Sequence, residues 1–199
     1  LTMFNIDNRH RYAALELGTN KPGEIAYLSR IVQPDVAVVT NIGPTHLAGL
    51  KSIAGVAKEK ADIFKSLTSK GVAIYEADNE ILKKLIRNAE YRIDTFGMTH
   101  PRTGPQGSVR GLTSRALVRG SNVRTTREGV RFSVEAGRDK KIYRVSLPVL
   151  GAWNVNNALA AITAARAVGV PISAGCRALA SFQLPPMRME RRVVRGVNY

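Results

Sequence analysis

Short apolar runs alternate with amphipathic stretches over the first hundred residues of the chain. The apolar runs occupy 12–17, 36–40 and 72–75, and helical patterns occupy 23–32 and 52–67. Apolar runs of this length are typical of buried strands, and longer stretches with a helical period are typical of amphipathic helices. Strands that alternate with helices favour a parallel sheet with right-handed crossovers. We therefore predict an α/β fold here, with a mostly parallel sheet flanked by helices.

The pattern changes after residue 107, where short alternating runs are separated by Gly and Asn turns. These runs occupy 116–119, 130–134 and 142–145. Such alternation predicts a smaller antiparallel β portion, either an insertion or an edge sheet, joined to the first part through the Pro-rich and Gly-rich segment 101–107.

Two helices and a final strand are predicted for the rest of the chain. An alanine-rich helical pattern covers 154–168, and a second covers 173–182 with Ser173 as its N-cap. A β-branched run at 191–197 predicts a last strand.

Charge and composition limit the classes of partner. Lysine and arginine total 30 against 15 acidic residues, which gives a net charge of +15. A basic surface attracts nucleic acid, anionic lipid or phosphorylated small molecules. The basic residues are spread along the chain without interleaved aromatic residues, so we expect no nucleic-acid partner. No apolar run is long enough to cross a bilayer, so we expect no membrane insertion.

The cysteine count bears on location. Cys176 is the only cysteine, which rules out a disulfide within the chain. Because no signal-peptide pattern is present either, we expect a cytoplasmic protein. Cys176 lies in an apolar helical pattern and is predicted to be a buried small residue rather than a nucleophile.

Three side chains in the first part are candidates for metal or phosphate chemistry. Glu16 follows the first predicted strand, where a carboxylate would meet a hard cation bound to nucleotide phosphates. His46 lies in a loop and would by itself be a histidine hydrogen-bonded to a carbonyl, since Mg²⁺ prefers oxygen. Helical spacing alone makes Lys60 a lysine that faces solvent.

Amide side chains form a second candidate group. Asn154 and Asn157 lie at the start of the alanine-rich helix, where backbone N–H groups favour anions. Simple N-capping by Asn154 is the alternative. Asn20 lies in a loop where a substrate would approach, although a turn explains the Asn-Lys-Pro-Gly sequence equally well.

Four motifs together resemble the central ATPase domain of the Mur ligases. They are ELGTNKPGEI, TNIGPTH, KADIF and GAWNVNNALAA, which begin at residues 16, 40, 60 and 151. The resemblance implies an ATP-dependent carbon–nitrogen ligase with ATP and Mg²⁺ as cofactors. It also implies that Glu16 and His46 hold magnesium, and that Lys60 is carbamylated and places a second magnesium ion.

The remaining site roles also follow from this resemblance. Lys60 is preferred over its neighbour Lys58 because Ile63 and Phe64 match the family pattern. Lys60 and His46 are then the catalytic candidates. Asn154, Asn157 and Arg188 would contact the nucleotide, and Asn20 would contact the substrate.

The ELGTNKPGEI motif is most similar to the Mur ligases that join D-alanyl-D-alanine to UDP-N-acetylmuramoyl-tripeptide through an acyl phosphate. The partners implied are these two substrates, in peptidoglycan precursor synthesis, which serves cell-wall biogenesis, cell shape and division. A full-length enzyme is expected to be a monomer. The alternatives are another Mur-type, folylpolyglutamate-type or cyanophycin-type ligase, or a non-catalytic nucleotide-binding module.

The sequence departs from the family pattern in three respects. Trp153 stands where the family has histidine, Met187 stands where it has glycine, and the phosphate loop GxxGK[ST] is absent. We therefore expect an incomplete portion of the central domain that starts downstream of that loop and is inactive alone. The expected divisions are 1–100 for the α/β part, 101–150 for the antiparallel part, 151–187 for the helical part and 188–199 for the start of a linker.

Overall fold

A six-stranded sheet forms the centre of the molecule. The computed structural model describes residues 6–99, 116–137 and 141–184, and the backbone of 193–194 and 197–198. The sheet has the strand order β1-β2-β3-β4-β5-β6, in which β1 to β4 are parallel and β4 to β6 are antiparallel. The strands are β1 (Val36–Val39), β2 (Val72–Glu76), β3 (Arg92–Met98), β4 (Val118–Thr126), β5 (Gly129–Ala136) and β6 (Lys141–Leu147).

Six α-helices accompany the sheet in the described part of the chain. They are α1 (Glu24–Val32), α2 (Leu47–Leu50), α3 (Ile53–Ala61), α4 (Glu80–Leu85), α5 (Asn154–Ala167) and α6 (Ile172–Ala178). Short 3-10 helices follow α3 at Asp62–Ser66 and α6 at Leu179–Ser181. Among the described residues, no helix is both long and apolar enough to cross a membrane.

Both faces of the parallel part are covered, as an α/β sheet requires. In β2, Ile74 packs in the same cluster as Leu159 of α5, whereas the neighbouring Ala73 packs in a second cluster with Phe64 and Leu82. Burial on both faces explains why β2 has a continuous apolar sequence instead of an alternating one. The predicted α/β class with a mostly parallel sheet and a smaller antiparallel portion is confirmed.

The antiparallel strands extend the same sheet. Val130 and Phe132 of β5 are buried, whereas Arg131 between them and its partner Ser146 in β6 are exposed. This alternation is the pattern expected of strands with one covered face. The register of β4 shifts between Ser121 and Arg124, and Asn122 in the bulge has a φ of 53°.

The long helix predicted for 52–67 has a change of geometry within it. Ser52 caps α3, because its hydroxyl oxygen accepts a hydrogen bond from the Gly55 N–H at 3.0 Å. The α-helix ends at Ala61, and the chain continues as a 3-10 helix that buries Phe64. The C-terminal end of α3 is therefore held against the sheet.

Three local predictions are wrong. Residues 12–17 form no strand, because they have no ladder partner among the described residues. The helix predicted from Ser173 begins at Ile172 after Pro171, and no side chain caps it. In place of one strand at 191–197, two short strands, β7 (Val193–Val194) and β8 (Val197–Asn198), pair with each other. The four domain divisions remain predictions.

Candidate functional site

A buried glutamate of helix α3 is bonded to the loop that precedes α1. This loop consists of residues 18–23 and is named the 18–23 loop below. Glu59 of α3 is only 4% exposed, and its carboxylate accepts hydrogen bonds from the Gly23 N–H at 2.7 Å, the Ile25 N–H at 2.9 Å and the Thr19 hydroxyl at 3.1 Å. Since Gly23 and Ile25 open α1, the carboxylate also satisfies N–H groups that the helix itself leaves without partners.

A second glutamate closes the 18–23 loop from within. The Glu24 carboxylate accepts hydrogen bonds from the Asn20 N–H at 2.6 Å and the Lys21 N–H at 2.9 Å. These backbone hydrogen bonds lower the pKa of Glu24, and the bond from Asn20 has the largest effect. The predicted Asn-Lys-Pro-Gly turn is therefore present, and the side chain of Asn20 is exposed at its surface.

The loop also packs closely against helix α2. A β-carbon added to Gly49 would lie 2.0 Å from the carbonyl oxygen of Asn20, closer than any side chain can approach. Glycine at this position allows the two backbones to meet. The 18–23 loop therefore contacts both α2 and α3.

Lys60 follows Glu59 in α3 and bonds to a different segment. Its ammonium donates a hydrogen bond to the carbonyl oxygen of Asn41, 2.9 Å away in the loop after β1. The side chain is half-buried, and desolvation by burial lowers the pKa of Lys60. The prediction that Lys60 simply faces solvent, made from helical spacing alone, is therefore wrong.

His46 lies at the start of α2, and Glu16 lies in the extended segment before the 18–23 loop. His46 occupies the N-cap position with a φ of 56°, a left-handed conformation in which a residue other than glycine is uncommon. Both side chains are exposed. Glu16 does not end a strand, contrary to the prediction, because residues 12–17 join no sheet in the described structure.

These contacts connect the segments that carry the three candidate residues. Thr19 bonds to Glu59, Lys60 bonds to Asn41, and Asn20 meets Gly49. In the described part of the chain, no group of three or more His, Cys, Asp or Glu side chains is placed to hold a metal ion. The magnesium roles of the candidates remain predictions.

A cleft of about 490 Å³ lies beside the 18–23 loop. The exposed Lys58 and Lys65 and the buried Glu59 all line this cleft, so it contains positive charges near the carboxylate of Glu59. The lining residues are Pro22, Gly23, Leu50, Gly55, Lys58, Glu59, Asp62 and Lys65.

The predicted amide group lies at the N-terminus of α5. Asn154 is the first residue of the helix, and its side-chain N–H donates to the Leu150 carbonyl at 2.8 Å. The alternative in which Asn154 is the N-cap is therefore wrong, since Trp153 holds that position without a capping side-chain bond. The Asn157 amide donates to the Asn154 side-chain oxygen at 3.3 Å, which joins the two residues assigned to the nucleotide.

Trp153 is 64% exposed beside these asparagines. Gly151, with a φ of 95°, makes room for its indole, because a β-carbon there would lie 2.3 Å from the ring. Only glycine combines this φ with this close approach at little cost.

Two polar residues that help to build these regions could not be identified from the sequence pattern. Glu59 lies between two lysines in a helical pattern, which is typical of a solvated helix face, and only its three donors reveal its burial. Asn156 donates to the Glu76 carboxylate at 2.9 Å, while its own Oδ1 is buried with no partner in the described structure. Both contacts join residues far apart in the chain.

Arg188, the third residue assigned to the nucleotide, lies outside the described residues. Its role remains a prediction.

Comparison with known proteins places this geometry in a family. The model of the Mur ligase middle domain matches residues 1–165. The chain is 35% identical over 200 residues to the UDP-N-acetylmuramoyl-tripeptide–D-alanyl-D-alanine ligase of Buchnera aphidicola subsp. Baizongia pistaciae, a match that covers 100% of this chain and 40% of that relative. It is 32% identical to the Escherichia coli enzyme of the same name, across 95% of this chain and 39% of that protein.

Solved structures give the same result. The crystal structure of MurF from Acinetobacter baumannii matches with a TM-score of 0.84 and 27% identity, across 98% of this chain and 40% of that one. The chain thus spans about 40% of the length of the relatives that it matches. The fold, the motif-bearing segments and these matches agree that the chain belongs to the Mur ligase family and corresponds to its middle domain.

Proposed function

We propose that this chain is the middle-domain portion of an ATP-dependent ligase that adds D-alanyl-D-alanine to UDP-N-acetylmuramoyl-tripeptide. The observation that carries the proposal is the joining of three motif-bearing segments by Thr19–Glu59, Lys60–Asn41 and Asn20–Gly49. The two relatives named above as ligases of this substrate pair support the choice among Mur-type reactions.

The reaction proposed is amide formation through an acyl phosphate. The carboxylate of the tripeptide is phosphorylated by ATP, the amine of D-alanyl-D-alanine attacks the acyl phosphate, and loss of phosphate leaves the amide. Negative charge moves among phosphate oxygens throughout, so cations near these oxygens lower the barrier.

Lys60 is suited to the modification that the family resemblance implies. A lysine with a lowered pKa has a larger neutral fraction, and the neutral amine is the form that attacks carbon dioxide. The carbamate would give two oxygen ligands in place of an ammonium, which suits a hard cation. The carbamate oxygens fit magnesium: Glu16 and His46 would hold one magnesium ion, and carbamylated Lys60 would help to place a second. Magnesium, when bound, supplies charge neutralisation at the phosphate oxygens.

The chain's own side chains have the remaining proposed roles. Asn154 and Asn157 would bind the nucleotide at the N-terminus of α5, with Arg188 on a phosphate oxygen, where a guanidinium makes two parallel bonds. Asn20 would contact the muramoyl peptide. The protein is proposed to be cytoplasmic and monomeric, and nucleic acid is not a proposed partner.

A substrate-competition assay on the full protein that contains this chain tests the proposal. We expect ADP release that requires both UDP-N-acetylmuramoyl-tripeptide and D-alanyl-D-alanine, with the amide product identified by mass spectrometry. Single amino acids in place of D-alanyl-D-alanine, and a folate in place of UDP-N-acetylmuramoyl-tripeptide, are the matched controls. Turnover with one of these instead would replace the proposed substrates by those of another ligase.

The chain of 199 residues by itself is proposed to be inactive, because no GxxGK[ST] loop occurs in its sequence to bind the β- and γ-phosphates. Amide formation by the purified chain would contradict this statement.

A further inference from the structure

Glu59 is a buried carboxylate that accepts hydrogen bonds from a single neighbouring segment, residues 19–25. Its three donors, Thr19, Gly23 and Ile25, belong to the 18–23 loop and the first turn of α1. Burying a carboxylate is costly unless hydrogen bonds replace its water. Here they do so only while the loop keeps its position, so the charge of Glu59 resists displacement of the loop.

The next residue in α3, Lys60, forms a hydrogen bond with a different loop. Lys60 donates to Asn41 after β1, whereas Glu59 accepts from residues 34 to 40 positions earlier in the chain. Consecutive side chains of one helix therefore fix two loops. The loop that carries Asn20 and the loop that follows β1 are held relative to the same turn of α3.

Helix α2 also contacts the 18–23 loop. The space between Gly49 and the Asn20 carbonyl oxygen does not admit a β-carbon, which would lie 2.0 Å from that oxygen. The loop is therefore hydrogen-bonded to Glu59 of α3 and packed against Gly49 of α2 at the same time. The position of Asn20 is determined by both contacts.

We propose that Glu59 is a positioning residue that holds the 18–23 loop, and with it Asn20, in register with Lys60 for binding of the muramoyl-peptide substrate. This inference rests on the proposed function, because that function assigns Asn20 to the substrate. In this proposal Glu59 does not itself contact a substrate, because its carboxylate is bonded to the loop and α1. Its effect reaches the substrate only through the loop.

The test uses Glu59→Gln in the full protein, with KM measured separately for UDP-N-acetylmuramoyl-tripeptide and for ATP. The amide keeps the size of the side chain but turns an N–H toward donors. We expect KM for the muramoyl substrate to rise about tenfold, the loss of one charge-assisted hydrogen bond, and KM for ATP to stay within about twofold. Glu80→Gln is the matched control, since Glu80 is exposed and pairs with Lys83 on its own helix.

A double-mutant cycle with Asn20→Ala separates positioning from general stability. If Glu59 acts through Asn20, Glu59→Gln has little further effect on the KM for the muramoyl substrate once Asn20 is truncated. Full additivity of the two changes, or an equal rise in both KM values, would overturn the inference.

Two variants keep the test decisive if Glu59→Gln does not fold. Thr19→Val removes one of the three donors and leaves the two backbone bonds, so we expect a smaller rise in KM for the muramoyl substrate. Thr19→Ser keeps the hydroxyl and should have the KM of the parent protein. An unchanged KM for the muramoyl substrate in an active Thr19→Val protein would overturn this inference but not the proposed function. A wild-type protein that does not ligate D-alanyl-D-alanine would overturn the proposed function as well.

Discussion

The Lys60 ammonium donates a hydrogen bond to the Asn41 carbonyl oxygen over 2.9 Å, which ties helix α3 to the loop after β1. Burial of half the side chain lowers the pKa of Lys60, whereas the neighbouring Lys58 is exposed. The structure therefore distinguishes two lysines that the helical pattern alone leaves alike. Of the two, Lys60 has the environment that favours a reactive amine.

Lys60→Arg tests this distinction. A guanidinium keeps the positive charge and a donor for Asn41, but it stays protonated and cannot form a carbamate. We expect kcat of the full protein to fall by about 100-fold or more, the scale seen when one electrostatic group is removed from an active site. Lys58→Arg should leave kcat within about twofold, and parent-level turnover of both variants would show that catalysis does not depend on a carbamate at Lys60.

Cys176 is expected to be unreactive in the folded protein. It is 5% exposed, and desolvation by burial raises the pKa of its thiol from 9.0 to about 11. Little thiolate is therefore present at neutral pH, and alkylation by iodoacetamide should be slow until denaturant unfolds the chain. Labelling of the native protein at the rate of a small thiol would contradict the buried position.

The same thiol predicts a pH dependence of stability. Between pH 9.0 and about 11 the unfolded chain loses the thiol proton and the folded chain keeps it. The unfolded state then binds fewer protons, so the contribution of Cys176 to stability is present below pH 9.0 and declines as the pH rises through this interval. Cys176→Ala should show a shallower decline in melting temperature over this interval than the parent protein.

Asp94 is expected to contribute to the free energy of unfolding and not to the chemistry of the candidate site. Its buried carboxylate accepts from Arg92 at 2.7 Å and from Arg166 of α5 at 3.3 Å, which joins β3 to that helix. Asp94→Ala leaves two partly exposed guanidinium groups without this partner, and we expect a loss of about 1 to 3 kcal/mol in the free energy of unfolding. Denaturant midpoints measure it. Asp7→Ala, which removes an exposed ion pair with Arg9, should change the midpoint little.

Much of the fold is predictable because it depends on local periodicity. The buried runs of β1 and β2 and the alanine-rich pattern of α5 lie close to where the structure places them. The run at 12–17 has the composition of a strand but no partner in the described sheet, and pairing is a non-local property. The alternation in β4 to β6 predicts strands but does not show that they extend the main sheet.

The candidate site is predictable only in part, for a related reason. Motif resemblance identified Lys60, Asn154 and Asn157, and the structure places the two asparagines in contact. Glu59 has the flanking charges of a surface residue, and its role depends on donors more than 30 residues away in the chain. Side chains that bridge distant segments leave no periodic signal, so they become visible only in the folded molecule.

The most direct test of the central claim is the rate of ATP-dependent D-alanyl-D-alanine addition by the full protein carrying Glu16→Ala. If Glu16 helps to hold magnesium at the phosphates, we expect kcat to fall by about 100-fold or more, with the melting temperature kept. Glu128→Ala, a change at a side chain 85% exposed in the β4–β5 turn, is the matched control and should retain the parent rate. Parent-level ligation by the Glu16→Ala protein would contradict the account of this chain as the metal-binding middle domain of such a ligase.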